Sequence, residues 1–401
     1  MNKSNRALQN AIWLFPLVAA APLGLDICIP GTTTIAESLH SSLGMTQWLI
    51  SGFILCLSLG QLVFGPLVDR FGSQSIFILG CALYASGSAA VHFADNISAL
   101  IALRLIQGIG ASAFAVSVFA SVPKLFTGAA VGKVFSLFNG VISLVPVLAP
   151  IIGGALIVQY GWQASFYFLF VFVLLCFVFV LFKPLPSKQE NKKLQFTSIC
   201  SGYLEVMRHS DFKLGCVASS CGFASQLIFF SSSPIVIIQQ FGVPVDKFGF
   251  YFAVDAVTIT AGSLLVSRLL GKIKESTILL CGAGSLFLAS LTFIVTSQLL
   301  GEALSVWGYI VPTMIGSFGF ALLMGVGASL AISPFKQISG TASALLAAVQ
   351  MTFASFVAWI VIQFWTPDWL IMILSYFILA LGIILAVEIN RRQLLVELQN
   401  M

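Results

Sequence analysis

The sequence predicts an all-α membrane protein with twelve transmembrane helices, and three observations carry this prediction. Apolar residues make up 59% of the chain and charged residues only 8%. The mean hydropathy is +1.03, and such a composition leaves too little polar surface to cover a soluble globule. Apolar stretches of about 20 residues, the length that crosses roughly 30 Å of hydrocarbon, recur twelve times along the chain.

The predicted spans form two sets of six, separated by one long polar segment. They cover residues 11–31, 46–66, 75–94, 98–122, 132–157, 163–182, 212–239, 248–268, 276–298, 303–332, 338–364 and 369–389. We therefore expect an N-terminal six-helix bundle (1–182), a cytoplasmic central loop (183–211) and a C-terminal six-helix bundle (212–401). Two such halves are typical of transporters with a substrate site at the bilayer midplane.

The positions of Lys and Arg predict the orientation, because short loops rich in these residues stay cytoplasmic. Both termini and the even-numbered connections contain nearly all of them, whereas Lys247 lies in a loop on the opposite face. Both termini are thus predicted to be cytoplasmic. The first apolar stretch is long enough to span and contains Asp26, so it is predicted to be retained and not cleaved as a signal peptide.

The composition also excludes several classes of function. The net charge of +5 follows the topology, and no folded basic domain is predicted that could bind nucleic acid. The eight cysteines form no C-x-x-C pair and are expected to be small apolar residues. His40, His92 and His209 lie in or near loops, far apart. We therefore predict no metal site, no enzyme active site and no bound cofactor.

Three charged residues lie in the middle of apolar stretches, namely Asp26, Arg104 and Asp255. A charge at membrane depth costs roughly 2.5–3.5 kcal/mol on insertion scales, so one that persists usually marks an ion or substrate pathway. These three residues predict a transporter.

Three motifs on the predicted spans resemble a known superfamily. Gly65-Pro66-Leu67-Val68-Asp69-Arg70-Phe71-Gly72 ends span 2, and Arg104-Leu105-Ile106-Gln107-Gly108-Ile109-Gly110 lies in span 4. Both resemble motifs of the major facilitator superfamily. In span 5, Pro146-Val147-Leu148-Ala149-Pro150-Ile151-Ile152-Gly153-Gly154 resembles the antiporter motif of drug:proton exchangers.

A narrower resemblance is to the bicyclomycin-resistance (Bcr/CflA) drug-efflux family. It rests on Leu25-Asp26 with Pro30 in span 1, Ser233-Pro234 in span 7, and Gly340-Thr341-Ala342-Ser343-Ala344-Leu345 with Gln350 in span 11. This resemblance implies the major facilitator fold, proton-coupled export of small organic solutes or drugs by alternating access, and antibiotic resistance. The implied partners are a small-molecule substrate, protons and the lipid bilayer, and we expect a monomer.

The chain departs from this family at three informative places. Ser73-Gln74 follows Gly72 where one or two arginines are usual, which alters the contacts that close the cytoplasmic side. Cys28 stands where a tyrosine is common, and an aromatic wall of the usual drug site is then missing. Asp255 stands where span 8 often has asparagine, which adds an ionisable group.

Each intramembrane charge has two open interpretations. Asp26 is expected to be the proton-coupling site, or else a structural ion permanently paired with Arg104. Arg104 is expected to regulate that acid, or else to be tied to backbone carbonyls of span 1. Asp255 is expected to bind a cationic substrate group or a second proton, or else to hydrogen bond as a neutral acid in place of asparagine.

The remaining candidates are assigned by motif and position. The expected cavity residues, which could instead only pack against neighbouring helices, are Gln107, Asn139, Gln226, Phe229, Phe230 and Gln350. The expected gating residues are Gly65, Asp69, Arg70 and Gly72. In span 5, Pro146 and Pro150 each remove a helical hydrogen bond and predict a bend, whereas Gly153 and Gly154 predict close helix contacts.

The predicted function is secondary active transport, in which a proton-coupled antiporter exports small organic solutes. Two alternatives stay open at this point. One is proton-coupled uptake, or export of a specific metabolite such as a siderophore. The other is a non-transporting membrane receptor or assembly factor, which the missing arginines after Gly72 favour slightly.

Overall fold

The computed structural model describes residues 11–126, 129–186, 196–299, 305–335, 338–366 and 369–399. Within these ranges the chain contains twelve helices that are long and apolar enough to cross a membrane. Spans 1 to 12 are, in order, Ile12–Ser38, Leu43–Phe71, Ser73–Phe93, Ile97–Leu125, Lys133–Tyr160, Gln163–Phe182, Ser210–Gln240, Val245–Leu269, Glu275–Gln298, Val306–Ile332, Gly340–Gln363 and Leu370–Gln393.

The predicted all-α fold with twelve spans is thus confirmed. Spans 1 and 2 continue beyond their predicted ends, to Ser38 and Phe71. Polar residues follow the apolar stretch in both spans and simply continue the helix, so hydropathy alone underestimates its length.

Span 1 is interrupted next to Asp26. Its segments are, in order, a 3-10 turn at Ile12–Leu14, an α-helix at Phe15–Asp26, a second 3-10 turn at Ile29–Gly31 and an α-helix at Thr32–Ser38. Pro30 has no N–H to donate to the carbonyl of Asp26, four residues earlier, so the α-helical bonding stops there. The tighter bond from Gly31 N to Cys28 O, 3.1 Å long, replaces it. Asp26 therefore lies at a break within the span.

Span 7 also changes its helix type at a proline. The α-helix Ser210–Ser233 passes into a π-helical segment at Pro234–Gln240. Pro234 leaves the carbonyl of Phe230 without its helical donor, and the hydroxyl of Ser233 donates to that carbonyl over 3.4 Å.

Contacts divide the chain into two compact units. The first comprises Met1–Leu194 with Pro244–Ala253, and the second comprises Gln195–Val243 with Val254–Met401. Spans 1 to 6 and the beginning of span 8 thus belong to the first unit. In the segment predicted as the central loop, residues 187–195 lie outside the described residues, and a helix occupies Phe196–Arg208.

Glycines allow the closest helix contacts in each unit. In the first unit, a Cβ on Gly80 of span 3 would lie 2.7 Å from the carbonyl oxygen of Gly110 in span 4. In the second unit, a Cβ on Gly319 of span 10 would lie 2.9 Å from the carbonyl oxygen of Gly282 in span 9. Small residues supply such close packing in membranes, where apolar lipid gives helices little hydrophobic reason to associate. The same contact recurs in corresponding spans of the two units.

Large apolar side chains remain exposed along several spans. In span 6, Leu175 is 62% exposed and Phe182 is 85% exposed, and in span 8 Val257 is 67% exposed. Arg104, Asp26 and many serines are buried instead. A soluble protein rarely exposes so much contiguous apolar surface, and this distribution is the one that a lipid environment favours.

Candidate functional site

Arg104 is completely buried in span 4, and backbone carbonyls hold its guanidinium. Nε donates to the carbonyl oxygen of Leu49 in span 2 at 2.9 Å, and Nη1 donates to that of Gly24 in span 1 at 3.0 Å. Nη1 also donates to Oε1 of Gln107, one turn along span 4, at 3.0 Å. Hydrogen bonds to a charged donor are strong and offset much of its desolvation. Arg104 therefore connects spans 1, 2 and 4.

Two buried aromatic rings flank the same guanidinium. Its central carbon lies 4.3 Å from the ring centroid of Phe53 and 5.8 Å from that of Phe166. A cation within about 6 Å of a ring centroid gains about 2 kcal/mol when both are desolvated. The two rings thus help to stabilise a permanent charge where little water is present.

Asp26 lies in the same region but forms no ion pair with Arg104. The side chain is 2% exposed, and among the described residues its Oδ1 and the Nη2 of Arg104 are both buried without a hydrogen-bond partner. No described ion pair within 4.0 Å joins the two groups. Of the two arrangements considered for Arg104, the contacts correspond to a bond with the backbone of span 1. In the part of the chain that the structure describes, Asp26 therefore has no ionic partner.

Gln107 links Arg104 to span 3. It is completely buried, its Nε2 donates to the hydroxyl of Ser88 at 2.8 Å, and that hydroxyl donates to the carbonyl of Tyr84 at 2.9 Å. The sequence predicts that Gln107 lines a cavity or packs against a neighbouring helix, and its spacing of three residues from Arg104 places both on one helix face. Ser88, which the sequence analysis did not single out, completes this chain of hydrogen bonds.

The antiporter motif in span 5 lies against the backbone that follows Asp26. A Cβ on Gly153 would overlap the carbonyl oxygen of Ile27 in span 1. A Cβ on Gly154 would lie 2.5 Å from the carbonyl oxygen of Val245, at the start of span 8 and within the same unit. Pro146 and Pro150 of the same motif lie inside the helix, as expected. Gly153 thus allows span 5 to contact the chain directly after the acid, and Gly154 allows it to contact the start of span 8.

The motif that ends span 2 contains two glycines in different situations. Gly65 lies within the helix, and a Cβ there would meet no atom within 4 Å. Gly72 ends the helix at φ +86° and ψ 155°, a conformation that residues with a side chain rarely adopt. Its N–H bonds to the carbonyl of Val68 at 2.9 Å. Asp69 and Arg70, between the two glycines, are exposed.

Asp255 in span 8 meets two polar side chains of the second unit. Its Oδ2 accepts from Nε2 of Gln226 in span 7 at 3.0 Å, and its Oδ1 lies 2.6 Å from Oγ of Ser317 in span 10. All three side chains are buried. The structure thus brings together two candidates from the sequence, and it adds Ser317, which the sequence analysis missed.

The other cavity candidates have varied surroundings. Phe229 is completely buried, and its ring stacks on that of Tyr309 with centroids 6.3 Å apart. Phe230 is 8% exposed, and Asn139 in span 5 is exposed. Gln350 is buried, and its Oε1 has no partner among the described residues. Contact of these residues with a solute stays a prediction.

The tyrosines are a signal that the sequence analysis did not use. The chain has seven, and Tyr84, Tyr309 and Tyr376 are buried within spans. The hydroxyl of Tyr376 donates to the carbonyl of Ser225 at 3.1 Å, and that of Tyr309 lies 2.8 Å from Oγ of Ser232. A buried phenol usually has a hydrogen-bond partner, as these two do, whereas the buried hydroxyl of Tyr84 has none among the described residues. Serines are less informative, since many only bond to their own helix.

The described part of the chain offers no metal site. It contains no group of three or more His, Cys, Asp and Glu side chains that could hold an ion. The cysteines whose side chains are described are all free thiols, and the side chain of Cys200 lies outside the description.

Comparison with known proteins assigns the family. The sequence profile of the Major Facilitator Superfamily matches residues 14–359. A bicyclomycin resistance protein homolog of Haemophilus influenzae is 30% identical over 87% of this chain and 88% of its own length. The multidrug resistance protein MdtL of Shewanella oneidensis is 28% identical over 86% of each protein.

A solved structure, the peptide transporter POT in complex with sulfate, superposes with a TM-score of 0.76. It is 15% identical, and the match covers 96% of this chain and 94% of that one. At this level of identity the likeness concerns the fold alone, which is the major facilitator fold that the motifs implied. The chain therefore belongs to the major facilitator superfamily and, within it, to the bicyclomycin-resistance (Bcr/CflA) family.

Proposed function

We propose that this protein is a proton-coupled antiporter that exports small organic solutes, drugs among them, by alternating access. The observation that carries the proposal is the buried carboxyl of Asp26, which has no ionic partner among the described residues and lies two residues after the carbonyl of Gly24 to which Arg104 donates. Intramembrane acids of this kind usually belong to ion or substrate pathways. The names of the two similar proteins, bicyclomycin resistance and multidrug resistance, support drug export.

Asp26 and Arg104 have different roles in the proposed mechanism: Asp26 carries the proton, and Arg104 supplies a fixed positive charge. A guanidinium stays protonated at any accessible pH, so Arg104 cannot carry the exchanged proton, and Asp26 can. When Asp26 loses its proton, the new carboxylate is attracted to the Nη2 that has no described partner. Arg104 need not give up its bonds to Leu49 and Gly24 to respond. Deprotonation therefore moves the acid towards the arginine.

The break in span 1 converts this local movement into a larger one. The α-helix ends at Asp26, and the segment that follows keeps only a few helical hydrogen bonds, such as the 3.1 Å bond from Gly31 N to Cys28 O, so a turn of this segment breaks few of them. Gly153 of span 5 lies directly against the carbonyl of Ile27 in that segment. A shift of Asp26 therefore reaches span 5, whose two prolines already leave carbonyls without helical donors.

We also propose a cellular setting for this transport. The protein works in the cytoplasmic membrane of a bacterium, with both termini on the cytoplasmic side, where Lys and Arg concentrate. It acts as a monomer, takes its energy from the proton gradient and uses no bound cofactor. Its partners are the solute, protons and lipid.

Purified protein in liposomes tests this proposal. The liposomes contain a pH-sensitive dye, and a panel of organic solutes that includes bicyclomycin is added under an imposed pH gradient. We expect at least one solute to drive proton movement in the opposite direction. If no member of the panel moves protons, the antiporter proposal fails.

Asp26→Asn is the decisive variant in the same assay. It should abolish solute-driven proton movement, because the amide cannot ionise. Glu388→Gln is the matched control, since Glu388 is an exposed acid that pairs with Arg392 at 3.0 Å, and it should behave as wild type. Unchanged coupling in Asp26→Asn would remove Asp26 from the mechanism.

A further inference from the structure

Three polar side chains form a closed ring around the carboxyl of Asp255 within the second unit. Asp255 Oδ1 lies 2.6 Å from Ser317 Oγ, Ser317 Oγ lies 2.9 Å from Gln226 Oε1, and Gln226 Nε2 lies 3.0 Å from Asp255 Oδ2. The exposed fractions of the Asp255, Gln226 and Ser317 side chains are 1%, 3% and 2%. All three distances are hydrogen-bond distances, so each side of the ring requires one proton.

The two neutral side chains supply only two of these three protons. The amide of Gln226 donates one N–H within the ring and the hydroxyl of Ser317 donates one O–H, whereas an ionised carboxylate donates nothing. With Asp255 ionised, one side of the ring would bring two oxygens together without a proton between them. A neutral Asp255 supplies the missing proton, and every group in the ring then donates once and accepts once.

This count does not depend on the orientation of the Gln226 amide, whose oxygen and nitrogen are assigned from hydrogen bonding. If the two atoms exchange places, the amide oxygen faces Asp255 and the amide nitrogen faces Ser317. The side between Asp255 and Gln226 then needs the carboxyl proton, while the amide and the hydroxyl serve the other two sides. Three sides need three protons in either orientation, and the third comes from Asp255.

The described contacts of Asp255 include no cation that would favour its ionised form. Over the residues that the structure describes, no ion pair within 4.0 Å involves it. The same unit contains two buried phenols, that of Tyr309 in span 10 and that of Tyr376 in span 12. Tyr376 donates to the carbonyl of Ser225 and Tyr309 contacts Ser232, so both hydroxyls are engaged elsewhere. A buried carboxylate without a cation is very costly.

We propose that Asp255 is a second proton-binding site of this transporter, which holds its proton while the ring is closed and exchanges it when the ring opens. This inference rests on the proposed antiport function. The ring shares no residue with the cluster around Arg104 and lies in the other unit. The two acids can therefore exchange their protons at separate sites.

The site would also distinguish solutes by charge. When the ring opens, the carboxyl proton passes to water and leaves a carboxylate without a neighbouring cation. A cationic group of the solute, such as an amine, would bind there in place of the proton, whereas a neutral solute would leave the ring closed. Export of a cationic solute should thus exchange one more proton than export of a neutral one.

Asparagine is the matched substitution, and it is the residue often found here in the similar family. Asp255→Asn replaces the carboxyl O–H by an amide N–H, so that the ring keeps all three hydrogen bonds but has no ionisable group. We expect this variant to unfold at the same temperature as wild type. Asp255→Ala should unfold at a lower temperature, because it leaves Gln226 and Ser317 short of partners.

Infrared spectroscopy of the purified protein tests the protonation directly and does not require transport. The C=O stretch of a protonated carboxyl is separate from the bands of a carboxylate. The difference spectrum between wild type and Asp255→Asn should contain a protonated-carboxyl band at neutral pH that disappears reversibly in alkaline buffer, and Asp26→Asn identifies the band of the other buried acid. A spectrum with carboxylate bands only, or a band that persists until the protein unfolds, would overturn the proposal.

Proton counting in liposomes tests the exchange. Wild type should move one proton more per cationic solute than Asp255→Asn, and the two should be equal for a neutral solute. Equal numbers for cationic solutes would make the proton structural and overturn the second site. If wild type couples no solute to protons, the antiport proposal fails, but the infrared titration still decides whether Asp255 binds an exchangeable proton.

Discussion

Arg104 donates from Nη1 to the carbonyl oxygen of Gly24, which lies two residues before Asp26 in span 1 and 3.0 Å from the donor. The cation is thus anchored to the backbone of the helix that bears the acid, and its position does not depend on the charge of Asp26. Its Nη2, buried without a described partner, remains available. In the proposed mechanism, Arg104 is the stationary charge towards which a deprotonated Asp26 moves.

The position of the Gly24 carbonyl depends on the close contact between Gly24 and Tyr84. A Cβ at Gly24 would overlap the hydroxyl of Tyr84 in span 3, so a side chain there would push span 1 away from Arg104. Tyr84 is completely buried, and its ring also packs edge to face on that of Phe53 with centroids 6.5 Å apart. The region around the arginine is therefore closely packed on the side of spans 2 and 3.

Arg104→Lys should lower thermal stability although it keeps the charge. The ammonium is a point donor and cannot reproduce the fork that serves Leu49, Gly24 and Gln107 together. Each lost hydrogen bond from a charged group costs about 1.5–3 kcal/mol. Thermal unfolding in detergent, followed by tryptophan fluorescence, measures the loss.

Arg392→Lys is the control for that variant. Arg392 bonds to Glu388 one turn away on an exposed helix surface, and such pairs contribute only a few tenths of a kcal/mol. We expect no change in its unfolding temperature. An equal unfolding temperature for Arg104→Lys would show that the backbone bonds of Arg104 contribute little.

Ser88→Ala should destabilise the protein through Gln107. The substitution removes the acceptor of the buried Nε2, and a buried donor left unpaired costs about 1–3 kcal/mol. Ser86→Ala is the matched control, because Ser86 is an exposed serine of the same span that bonds only to the carbonyl of Leu83. Equal unfolding temperatures for the two variants would mean that Gln107 finds another partner or water.

The spans could be predicted from the sequence because they depend on a property of each segment by itself. About 20 apolar residues are required to cross the hydrocarbon wherever the segment lies in the fold. The interruption after Asp26 also has a local cause, since Pro30 removes a particular hydrogen bond. Both features can therefore be predicted without knowledge of tertiary contacts.

The partners of the buried charges could not be predicted in the same way. Arg104 bonds to the carbonyls of Leu49 and Gly24, and every residue has a carbonyl, so no residue type reveals such an acceptor. Ser317 meets Asp255 across 62 positions of sequence and resembles any other serine of an apolar span. These contacts depend on how the helices pack and rotate, which hydropathy does not record.

Gly153→Ala should impair transport because of its position against Ile27. A Cβ there would overlap the carbonyl oxygen of the residue that follows Asp26, so span 1 or span 5 must shift. Such overpacking costs typically about 1–3 kcal/mol. Solute-driven proton movement in liposomes should fall strongly, with a smaller fall in unfolding temperature.

Gly140→Ala provides the comparison in the same span. A Cβ on Gly140 would meet no atom within 4 Å, so the added methyl group causes no local clash. Its unfolding temperature should be unchanged or slightly higher, since alanine restricts the unfolded chain more than glycine. If Gly153→Ala transports as fast as Gly140→Ala, the contact between span 5 and Ile27 does not matter for the cycle.

The two glycines that bound the motif at the end of span 2 should respond differently to alanine. Gly72 has a φ of +86°, and a side chain in such a sparsely populated conformation costs about 1–3 kcal/mol. Gly72→Ala should therefore lower the unfolding temperature. Gly65 is helical and uncrowded, and alanine is favoured over glycine inside a helix by about 0.5–1 kcal/mol, so Gly65→Ala should not destabilise the protein.

Transport measurements on the same two variants distinguish an effect of backbone strain from an effect on gating. Gly65 could allow another helix to pack closely against span 2 only in another state of the transport cycle. In that case, Gly65→Ala will keep its stability but lose solute-driven proton movement in liposomes. If it transports normally, the gating role of this position is excluded, and the motif depends on Gly72 and its neighbours. Gly72→Ala with an unchanged unfolding temperature would contradict the strain argument, because the turn would then accept a side chain at positive φ.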